Sequence, residues 1–560
     1  MNASGSSSSS SASATALLSA AAFASGLVSG AALYAALERR RRNAAIESTA
    51  QLDPRDPKEL VAPAAGLAEL IVRYHENLRR RDPLRGDASA SDSYAVRAQV
   101  APGAVKRQLP AACPETPESY GAIFRDCERV IFPALTHWAS PDFFAYFKVY
   151  GSDPSVLADM LCSALNVVGF SWVAAPAATE LEQVMCDWLA RLLALPACFT
   201  SESVGGGVIQ GSASESALCA LIAARHAALA GLEGEAREHR AARLCVYVSD
   251  QTHAIAEKGC MVLDIPHLRV LPTRRGAADD DNFGLAPEDV AAAMAADVAA
   301  GLVPFFLVPT VGTTSTTAVD PIRALATVAR QQPVPVWVHV DGAYGGCAAV
   351  CPEFQRWFDG AELCDSICVN AHKWLLVGFD CSLLWVQDRR PLIQALALDP
   401  EYLKNDFMTQ VNYKDWQVPL GRRFRALKLW FTFRRFGAEG LRAHIRRAVA
   451  LAKRAEALLL ADGRFRIFVP VRMGLVCFYV AFGGRALNEQ LLRRVNASGR
   501  AFLVHSVVDG VHILRMAVGG LEVGDANVDD FVALVQAQLS DLVATSDEWQ
   551  QQQLAFEQSK

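Results

Sequence analysis

The sequence predicts an α/β protein, because helical and strand-like patterns alternate between residue 154 and about residue 430. Four apolar runs in this region end in polar or small residues: RLCVYVSD, PFFLVPTVGTT, PVWVHVDGAYGG and DSICVNAHKW. They lack strict alternation, which predicts strands buried on both faces of a mainly parallel sheet. Such sheets bind ligands beyond the carboxyl ends of their strands, so we expect the functional residues there.

One helix of this region has a clear periodicity, over ATELEQVMCDWLARLL, residues 178–193. Thr179 and Glu182 have the spacing of a capping box at its start. The predicted apolar face consists of Leu181, Val184, Met185, Trp188, Leu189 and Leu192.

The remaining sequence predicts further regions around this core. The strand candidates GLVCFYVAF and GVHILRMAV follow a long helical pattern and indicate a smaller α+β domain near the C-terminus. The predicted organisation is a serine-rich N-terminal segment (1–50), a helical arm (51–152), a large ligand-binding domain (153–430), a small C-terminal domain (431–545) and a polar tail (546–560).

The N-terminal segment has the composition of a membrane anchor. The first 37 residues carry no charged side chain, and the apolar stretch 16–37 precedes the basic run Arg39–Arg42. A helix of this length would cross the ~30 Å hydrocarbon layer, with the basic run on the cytosolic side. A cleaved targeting peptide is the alternative. We therefore expect a cytosolic catalytic domain attached to a membrane, with import into an organelle as the second possibility.

Composition excludes several function classes. A net charge of −5, from 54 Lys and Arg against 59 Asp and Glu, does not favour nucleic acid as a partner. The 14 cysteines include no CxxC pair and several lie in apolar stretches. This usage predicts buried free thiols in a reducing compartment, with neither a disulfide framework nor a metal site.

Four polar residues near the predicted strands suggest a ligand. Ser212 and Ser214 in GGGVIQGSASE begin a helix whose N–H groups and dipole favour an anion such as phosphate, although serines there are often simple N-caps. Asp341 ends VWVHVD and suits a protonated ring nitrogen, or else starts a loop turn. His253 in SDQTH suits stacking on a heteroaromatic ring, or else is a surface histidine.

Lys373 connects these positions, because it lies directly before the apolar run Trp374–Val377. An amine surrounded by apolar groups is a nucleophile that bonds to a carbonyl carbon. Taken alone, this lysine is better explained as an edge-strand residue whose aliphatic stem lies along apolar surface while its ammonium group stays in water. A phosphate site, a ring-nitrogen carboxylate, a stacking imidazole and a lysine together predict a pyridoxal 5′-phosphate site.

Long stretches over roughly residues 50–540 resemble the pyridoxal-phosphate-dependent aromatic-L-amino-acid decarboxylases, within the group II amino acid decarboxylases. The stretches include THWASPDFFAYF, NVVGFSW, PAATELE, GGGVIQGSASE, SDQTH, NAHKW, DPEYLKN and DWQVPLGRRFRALKLW. The resemblance implies a type I aminotransferase-like fold with a mainly parallel central sheet. It also implies a homodimer whose sites lie at the subunit interface, with Val168 and Phe170 reaching the partner's site.

The same resemblance implies roles for individual residues. Lys373 would bind the aldehyde of the cofactor, His253 would stack on its ring, and Tyr402 would be the catalytic acid on a mobile loop. In this family a phenylalanine at the position of Tyr402 accompanies aldehyde formation, so the tyrosine favours decarboxylation to the amine. The full cofactor set implied is Ser212, Ala213, Ser214, Thr314, Asp341, Ala343, Asn370, His372 and Lys373.

Substrate contacts are implied at Phe147, Val149, Val168, Phe170 and Gly421. Glycine at position 421 goes with indole or broad aromatic substrates in the family. We therefore expect decarboxylation of tryptophan or 5-hydroxytryptophan, with dopa, tyrosine and phenylalanine as further candidates. An aldehyde synthase, another carbon–carbon lyase and a membrane-tethered inactive scaffold are the alternatives.

The chain departs from the family pattern at Lys148-Val149-Tyr150, where relatives usually carry Pro-Thr or Pro-Ser. Val149 lacks the hydroxyl expected near the substrate. Lys148 would attract a carboxylate, or Tyr150 would narrow the pocket.

Overall fold

The computed structural model describes residues 35–50, 56–79, 94–276, 282–398 and 400–559. Most of the predicted anchor, residues 16–34, lies outside these ranges. Within them no helix has both the length and the apolar character needed to cross a membrane. Two units are distinguished, residues 1–140 and residues 141–560.

The first unit is helical where it is described, beginning with a helix over residues 35–47. Its core includes a group of aromatic rings in which the hydroxyl of Tyr74 lies 2.9 Å from Nδ1 of His137. Its labelled helices are α1 (Val61–Arg79), α2 (Ala104–Gln108) and α3 (Tyr120–Asp126).

The second unit contains a seven-stranded sheet in the order β1-β7-β6-β5-β4-β2-β3. All neighbours are parallel except β7, which is antiparallel to both β1 and β6. Four of the six strand pairs are parallel, which confirms the predicted α/β class with a mainly parallel sheet. Most strands are buried along their whole length, as expected for such a sheet. The strands are β1 (Gly206–Gln210), β2 (Leu244–Ser249), β3 (His267–Leu271), β4 (Val303–Leu307), β5 (Trp337–Asp341), β6 (Ser366–Asn370) and β7 (Ser382–Val386).

Helices connect these strands and cover the sheet. They are α4 (Asp153–Leu165), α5 (Pro176–Leu192), α6 (Ala213–Ala228), α7 (Gly234–Ala241), α8 (Ile255–Leu263), α9 (Pro287–Ala299), α10 (Ile322–Arg330), α11 (Ala371–Trp374), α12 (Arg390–Leu396) and α13 (Ala426–Asp462). Helix α13 runs through the predicted domain boundary at residue 430, so the exact domain limits stay a prediction.

A second, antiparallel sheet follows in the order β10-β11-β9-β8. Its apolar face packs on helices, which gives the C-terminal part its own core. The elements are β8 (Phe465–Ile467), β9 (Leu475–Val480), α14 (Gly484–Ala497), β10 (Val504–Val508), β11 (Val511–Ala517), α15 (Asp525–Ala544) and α16 (Asp547–Gln558).

Helix α5 differs from its sequence prediction in two respects. The predicted capping box is wrong, because the helix begins at Pro176 and the Thr179 hydroxyl donates to the carbonyl of Ala175. Glu182 lies in the core, where its carboxylate accepts the N–H of Ile209 at 2.7 Å. The predicted apolar face is only partly buried, since Met185 and Leu189 are buried whereas Val184 and Trp188 are exposed.

All 14 cysteines are free, and most are buried. Burial raises the pKa of several of these thiols, Cys219 and Cys477 to about 12, so they remain protonated and pack as small apolar groups.

Candidate active site

The ends of three strands meet at one edge of the large sheet. Strand β7 lies between β1 and β6, and Ser382 pairs with Gln210 on one side and with Asn370 on the other. Two strand spacings therefore separate the end of β1 from the end of β6, about 10 Å. Asp341 ends the neighbouring strand β5. This edge is where the sequence predicts the functional residues.

The predicted phosphate site begins directly after β1. Ser212 is the N-cap of α6, and its hydroxyl accepts the N–H of Glu215 at 3.2 Å. Ser214 is exposed in the first turn. Ala213 packs with Ala343 and Cys368, which brings this helix start beside the ends of β5 and β6. The N-terminus of a 16-residue helix thus faces the strand-end edge and favours an anion there.

Asp341 is buried, and one of its oxygens is held in place by the protein. Oδ1 accepts the N–H of Ala343 at 3.0 Å and lies 3.7 Å from Sγ of Cys368. Burial keeps the pKa of the Cys368 thiol well above its usual range, and the charge of Asp341 raises it further, so the thiol is the donor. Both contacts are made by Oδ1, so Oδ2 is the Asp341 oxygen that can accept a hydrogen bond from a protonated ring nitrogen.

His253 is close enough to Asp341 and Lys373 to be affected by both charges. Desolvation lowers the pKa of His253, the charge of Asp341 raises it and the charge of Lys373 lowers it. The side chain keeps an exposed surface. A largely neutral imidazole with an open face suits the predicted stacking on a heteroaromatic ring.

Lys373 lies in the short helix α11, directly after β6. It is half-buried, and residues 374–377 after it are fully buried, which supplies the apolar surroundings expected for a nucleophilic amine. Burial lowers the pKa of His372 to about 4, and its Nδ1 accepts the N–H of Cys381 at 2.9 Å. His372 is therefore neutral at pH 7 and carries its proton on Nε2.

Aromatic rings surround the lysine turn on another side. Phe147 stacks on Tyr344 with 3.6 Å between ring centroids, and Tyr344 stacks on Trp374 at 4.7 Å. The N–H of Tyr150 donates to the carbonyl of His372 at 3.3 Å. The segment 147–150, which includes Val149, therefore runs along the lysine turn.

Arg515 is a candidate that the sequence prediction missed. This residue of β11 is buried, its Nη2 donates to the carbonyl of Thr314 at 2.5 Å, and its guanidinium lies 5.2 Å from the ring centroid of Phe147. Its Nε is buried without a hydrogen-bond partner in the part of the chain that the structure describes. A buried cation with a spare donor suits a carboxylate ligand. The signal was an arginine inside the apolar strand HILRMAV.

Lys148 is almost completely buried. Burial lowers its pKa to about 7, although the nearby carboxylates of Glu522 and Asp142 raise it. Its Nζ lies 5.3 Å from the ring centroid of Tyr150, which packs against Gly519. The Lys148 ammonium group, which we expected to attract a ligand carboxylate, is therefore already attracted by Glu522 and Asp142.

The other predicted site residues lie on exposed segments. Tyr402 belongs to a short 3₁₀ turn and is 78% exposed. No hydrogen bond or ring contact among the described residues links it to the strand-end group, which consists of Lys373, Asp341, His253 and Asn370. Val168 is 49% exposed and Phe170 is half-buried. Gly421 is exposed in the turn before α13. The second unit by itself thus brings the predicted cofactor residues together. The four positions Tyr402, Val168, Phe170 and Gly421 stay wholly or partly exposed and lie apart from that group.

The strand-end group fits pyridoxal 5′-phosphate. Asn370 supplies a buried side-chain oxygen, Oδ1, without a hydrogen-bond partner among the described residues. Together with the start of α6, the free oxygen of Asp341 and the amine of Lys373, it provides contacts for each polar part of that molecule.

Comparison with known proteins gives the family. Residues 102–481, more than half of the chain, match the model of the pyridoxal-dependent decarboxylase conserved domain. The chain belongs to the pyridoxal-dependent decarboxylases. It is 42% identical over 490 residues to tryptophan decarboxylase 2 of Oryza sativa subsp. japonica, covering 85% of this chain and 94% of that protein.

Two solved structures are similar to this decarboxylase along most of its length. One is Oryza sativa TDC with PLP and tryptamine, with 38% identity, a TM-score of 0.81 and coverage of 88% of this chain and 100% of that one. The other is Rhodiola rosea 4-hydroxyphenylacetaldehyde synthase, with 39% identity, a TM-score of 0.80 and the same coverage. The decarboxylase uses pyridoxal 5′-phosphate and is a carboxy-lyase. The type I aminotransferase-like fold predicted from the resemblance is confirmed.

Proposed function

We propose that this decarboxylase removes the carboxyl group of an aromatic L-amino acid, first of all tryptophan or 5-hydroxytryptophan, and releases the amine. The observation that carries the proposal is the strand-end group of Lys373, Asp341, His253 and Asn370 beside an aromatic wall. When bound, the cofactor supplies the carbonyl carbon that joins the substrate amine and a ring that accepts the electron pair left when carbon dioxide departs.

The chain's own residues would hold that chemistry in place. Oδ2 of Asp341 would keep a proton on the ring nitrogen, because a buried carboxylate stabilises a positive charge within hydrogen-bond reach. Asn370, Ser212 and Ser214 would bind the phosphate. Arg515 would pair with a substrate carboxylate, with its Nε as donor. Tyr402 would return a proton to the carbon that lost the carboxyl group.

A homodimer would complete this site. Helix α4 exposes a row of apolar side chains at helical spacing, Val156, Leu157, Met160, Leu161 and Leu165. Such a patch on a folded chain marks a protein interface. The exposed substrate-contact candidate Val168 follows this helix by three residues. We propose that a second copy covers this face, and that Leu157→Arg yields a monomer in light scattering with greatly reduced activity.

The experiment that tests the reaction is incubation of the purified holoenzyme with tryptophan, 5-hydroxytryptophan, dopa, tyrosine and phenylalanine. We expect amine and carbon dioxide in equal amounts without hydrogen peroxide. Aldehyde and peroxide in equal amounts would replace the proposal by an aldehyde synthase, the activity for which the similar Rhodiola rosea enzyme is named. A protein without a borohydride-reducible bond at Lys373 would indicate an inactive scaffold.

Attachment to a membrane through residues 16–37 is a proposal from composition. A reporter fused to residues 1–45 should resist carbonate extraction and keep its C-terminal side open to protease in sealed microsomes. Import with loss of the segment would contradict the anchor.

A further inference from the structure

The exposed turn that carries Gly421 is followed directly by one of the most deeply buried arginines of the chain. Arg422 is 4% exposed and pairs with the equally buried Glu182 of α5. Taking both charges out of water costs free energy that their attraction and hydrogen bonds must offset. A buried pair is therefore weak evidence for stability, and its position next to a predicted substrate contact calls for another role.

The guanidinium of Arg422 connects this turn to the strand that leads to the phosphate site. Nη2 lies 2.5 Å from Oε1 of Glu182 and 3.2 Å from the carbonyl oxygen of Ile209 in β1. The same Glu182 oxygen accepts the N–H of Ile209, so β1, α5 and the turn share one network. The ring of Tyr413 lies 4.8 Å from the guanidinium carbon and limits its movement.

Gln417 joins the network to the exposed turn itself. Its Oε1 accepts Nη1 of Arg422 at 2.6 Å. Its Nε2 donates to the carbonyl of Pro419 and lies 3.4 Å from the carbonyls of Leu420 and Gly421. One amide group therefore lies within reach of three consecutive carbonyls of the turn.

The backbone of Arg422 also binds the segment of Val168, Gly169 and Phe170. Its carbonyl accepts the N–H of Gly169 at 3.1 Å, between the predicted substrate contacts Val168 and Phe170. The position of Gly421 is not set by its own packing, since a Cβ there would meet no atom of the described residues within 4 Å. Arg422 and Gln417 therefore contact the backbone of both segments, and the N–H of Lys414 adds a hydrogen bond to the carbonyl of Phe170.

We propose that Arg422, locked by Glu182 and Gln417, is the positioning residue that sets the width of the substrate side-chain pocket. The inference rests on the proposed function, because it takes Val168, Phe170 and Gly421 as the wall of that pocket. The planar fork of an arginine bonds three partners in fixed directions, which a lysine cannot do. Loosening this fork would let the wall move and reduce discrimination between bicyclic and monocyclic side chains.

Two substitutions test the proposal at different points of the network. Gln417→Glu keeps an acceptor for Arg422 but removes the donor to the turn, and it leaves the buried ion pair in place. Arg422→Lys keeps the charge and removes the fork. Arg269→Lys is the matched control, since Arg269 of β3 makes a two-pronged pair with Asp297 of α9, and β3 lies at the edge of the sheet opposite β1.

The readouts are the kcat/KM ratio for tryptophan over tyrosine and the Kd ratio for indole-3-propanoate over 3-(4-hydroxyphenyl)propanoate, both with the holoenzyme. We expect each ratio to change by about tenfold or more in the two network variants, within the range seen for altered pocket contacts. The change should lie in KM, with kcat for the preferred substrate within about threefold of wild type. The control should keep the wild-type ratios.

Unchanged ratios in a folded Gln417→Glu holoenzyme would overturn the inference, and so would an equal change in the control. If Arg422→Lys does not fold, Gln417→Glu decides. A wild-type enzyme that decarboxylates no aromatic amino acid would instead overturn the proposed function.

Discussion

The strand-end group and the proposed pocket wall (Val168, Phe170 and Gly421) differ in how their residues are buried and held in position. Asp341 and Asn370 end central strands and His372 follows in α11, and all three are buried. The N–H groups of Ala343 and Cys381 hold the side chains of Asp341 and His372. Gly421 and Val168, which we propose as wall residues, are exposed, and the buried Arg422 follows Gly421 and accepts the N–H of Gly169. The difference teaches that, in the proposed site, one chain's fold supplies the cofactor contacts. The proposed acid Tyr402 and the substrate-selecting positions lie on surface segments that can vary without disturbing those contacts.

The largest effect should come from the strand-end group. Lys373→Ala removes the nucleophilic amine, and we expect kcat/KM to fall by more than about 10³-fold, at the upper end for a group that acts on reacting atoms. Thermal unfolding of the apoprotein should change little, because Lys373 is only half-buried. Activity within tenfold of wild type would show that another residue binds the cofactor.

The next effect tests whether the exposed loop takes part in the reaction. Tyr402→Phe removes one hydroxyl, and we expect amine formation to fall by about 10²- to 10³-fold, the usual contribution of an acid catalyst. Cofactor affinity should stay the same, since Tyr402 is largely exposed and outside the strand-end group. Product analysis should show whether aldehyde replaces the amine. An unchanged rate of amine release would assign the proton transfer elsewhere.

A smaller effect is expected at the wall. Gly421→Ser adds a side chain to open space, so the free energy of unfolding should stay within about 0.5 kcal/mol of wild type. The preference for tryptophan over tyrosine should fall by about tenfold, because the added atoms narrow the pocket for a bicyclic ring. Substrate competition assays measure this ratio directly, and an unchanged preference would remove Gly421 from the wall.

The smallest effect on activity is expected at Lys148, where stability should respond to pH. The folded-state pKa is about 7 against an ordinary value of 10.5, so the folded chain holds fewer protons than the unfolded chain between these values. Wild-type stability relative to Lys148→Met should therefore rise with pH in this window, by at most about 1.4 kcal/mol per unit. Urea unfolding of both proteins at pH 7, 8 and 9 measures the difference, and a constant difference would contradict the shift.

The strand ends could be predicted because their signals are local. Asp341 and Lys373 adjoin apolar runs whose length and composition identify buried strands, and parallel strands bring such ends to one edge. The residues that the prediction misplaced depend on distant partners. Glu182 has the spacing of a helix cap, yet its carboxylate pairs with Arg422, 240 positions along the chain. No periodicity within α5 contains that information.

The exposed apolar residues illustrate the same limit. Val184 and Trp188 follow the helical period that predicts a core face, but the sheet covers a neighbouring face of α5 that includes Glu182 and Met185. Glu182 is therefore in the core and Trp188 is on the surface, the reverse of what the helical period predicts. Arg515 was missed for a related reason, since a strand pattern shows that a residue is buried without showing which loop its side chain reaches.

The place of β7 in the sheet also orders events in time. Among the described strands β1 pairs only with β7, so β1 cannot be hydrogen-bonded into the sheet until residue 386 has been synthesised, although Ala213 of α6 also packs against Cys368 of β6. Closing such a long loop is entropically unfavourable until the pairing it permits has formed. The strand that leads into the proposed phosphate site therefore reaches its final place late in the synthesis of this unit.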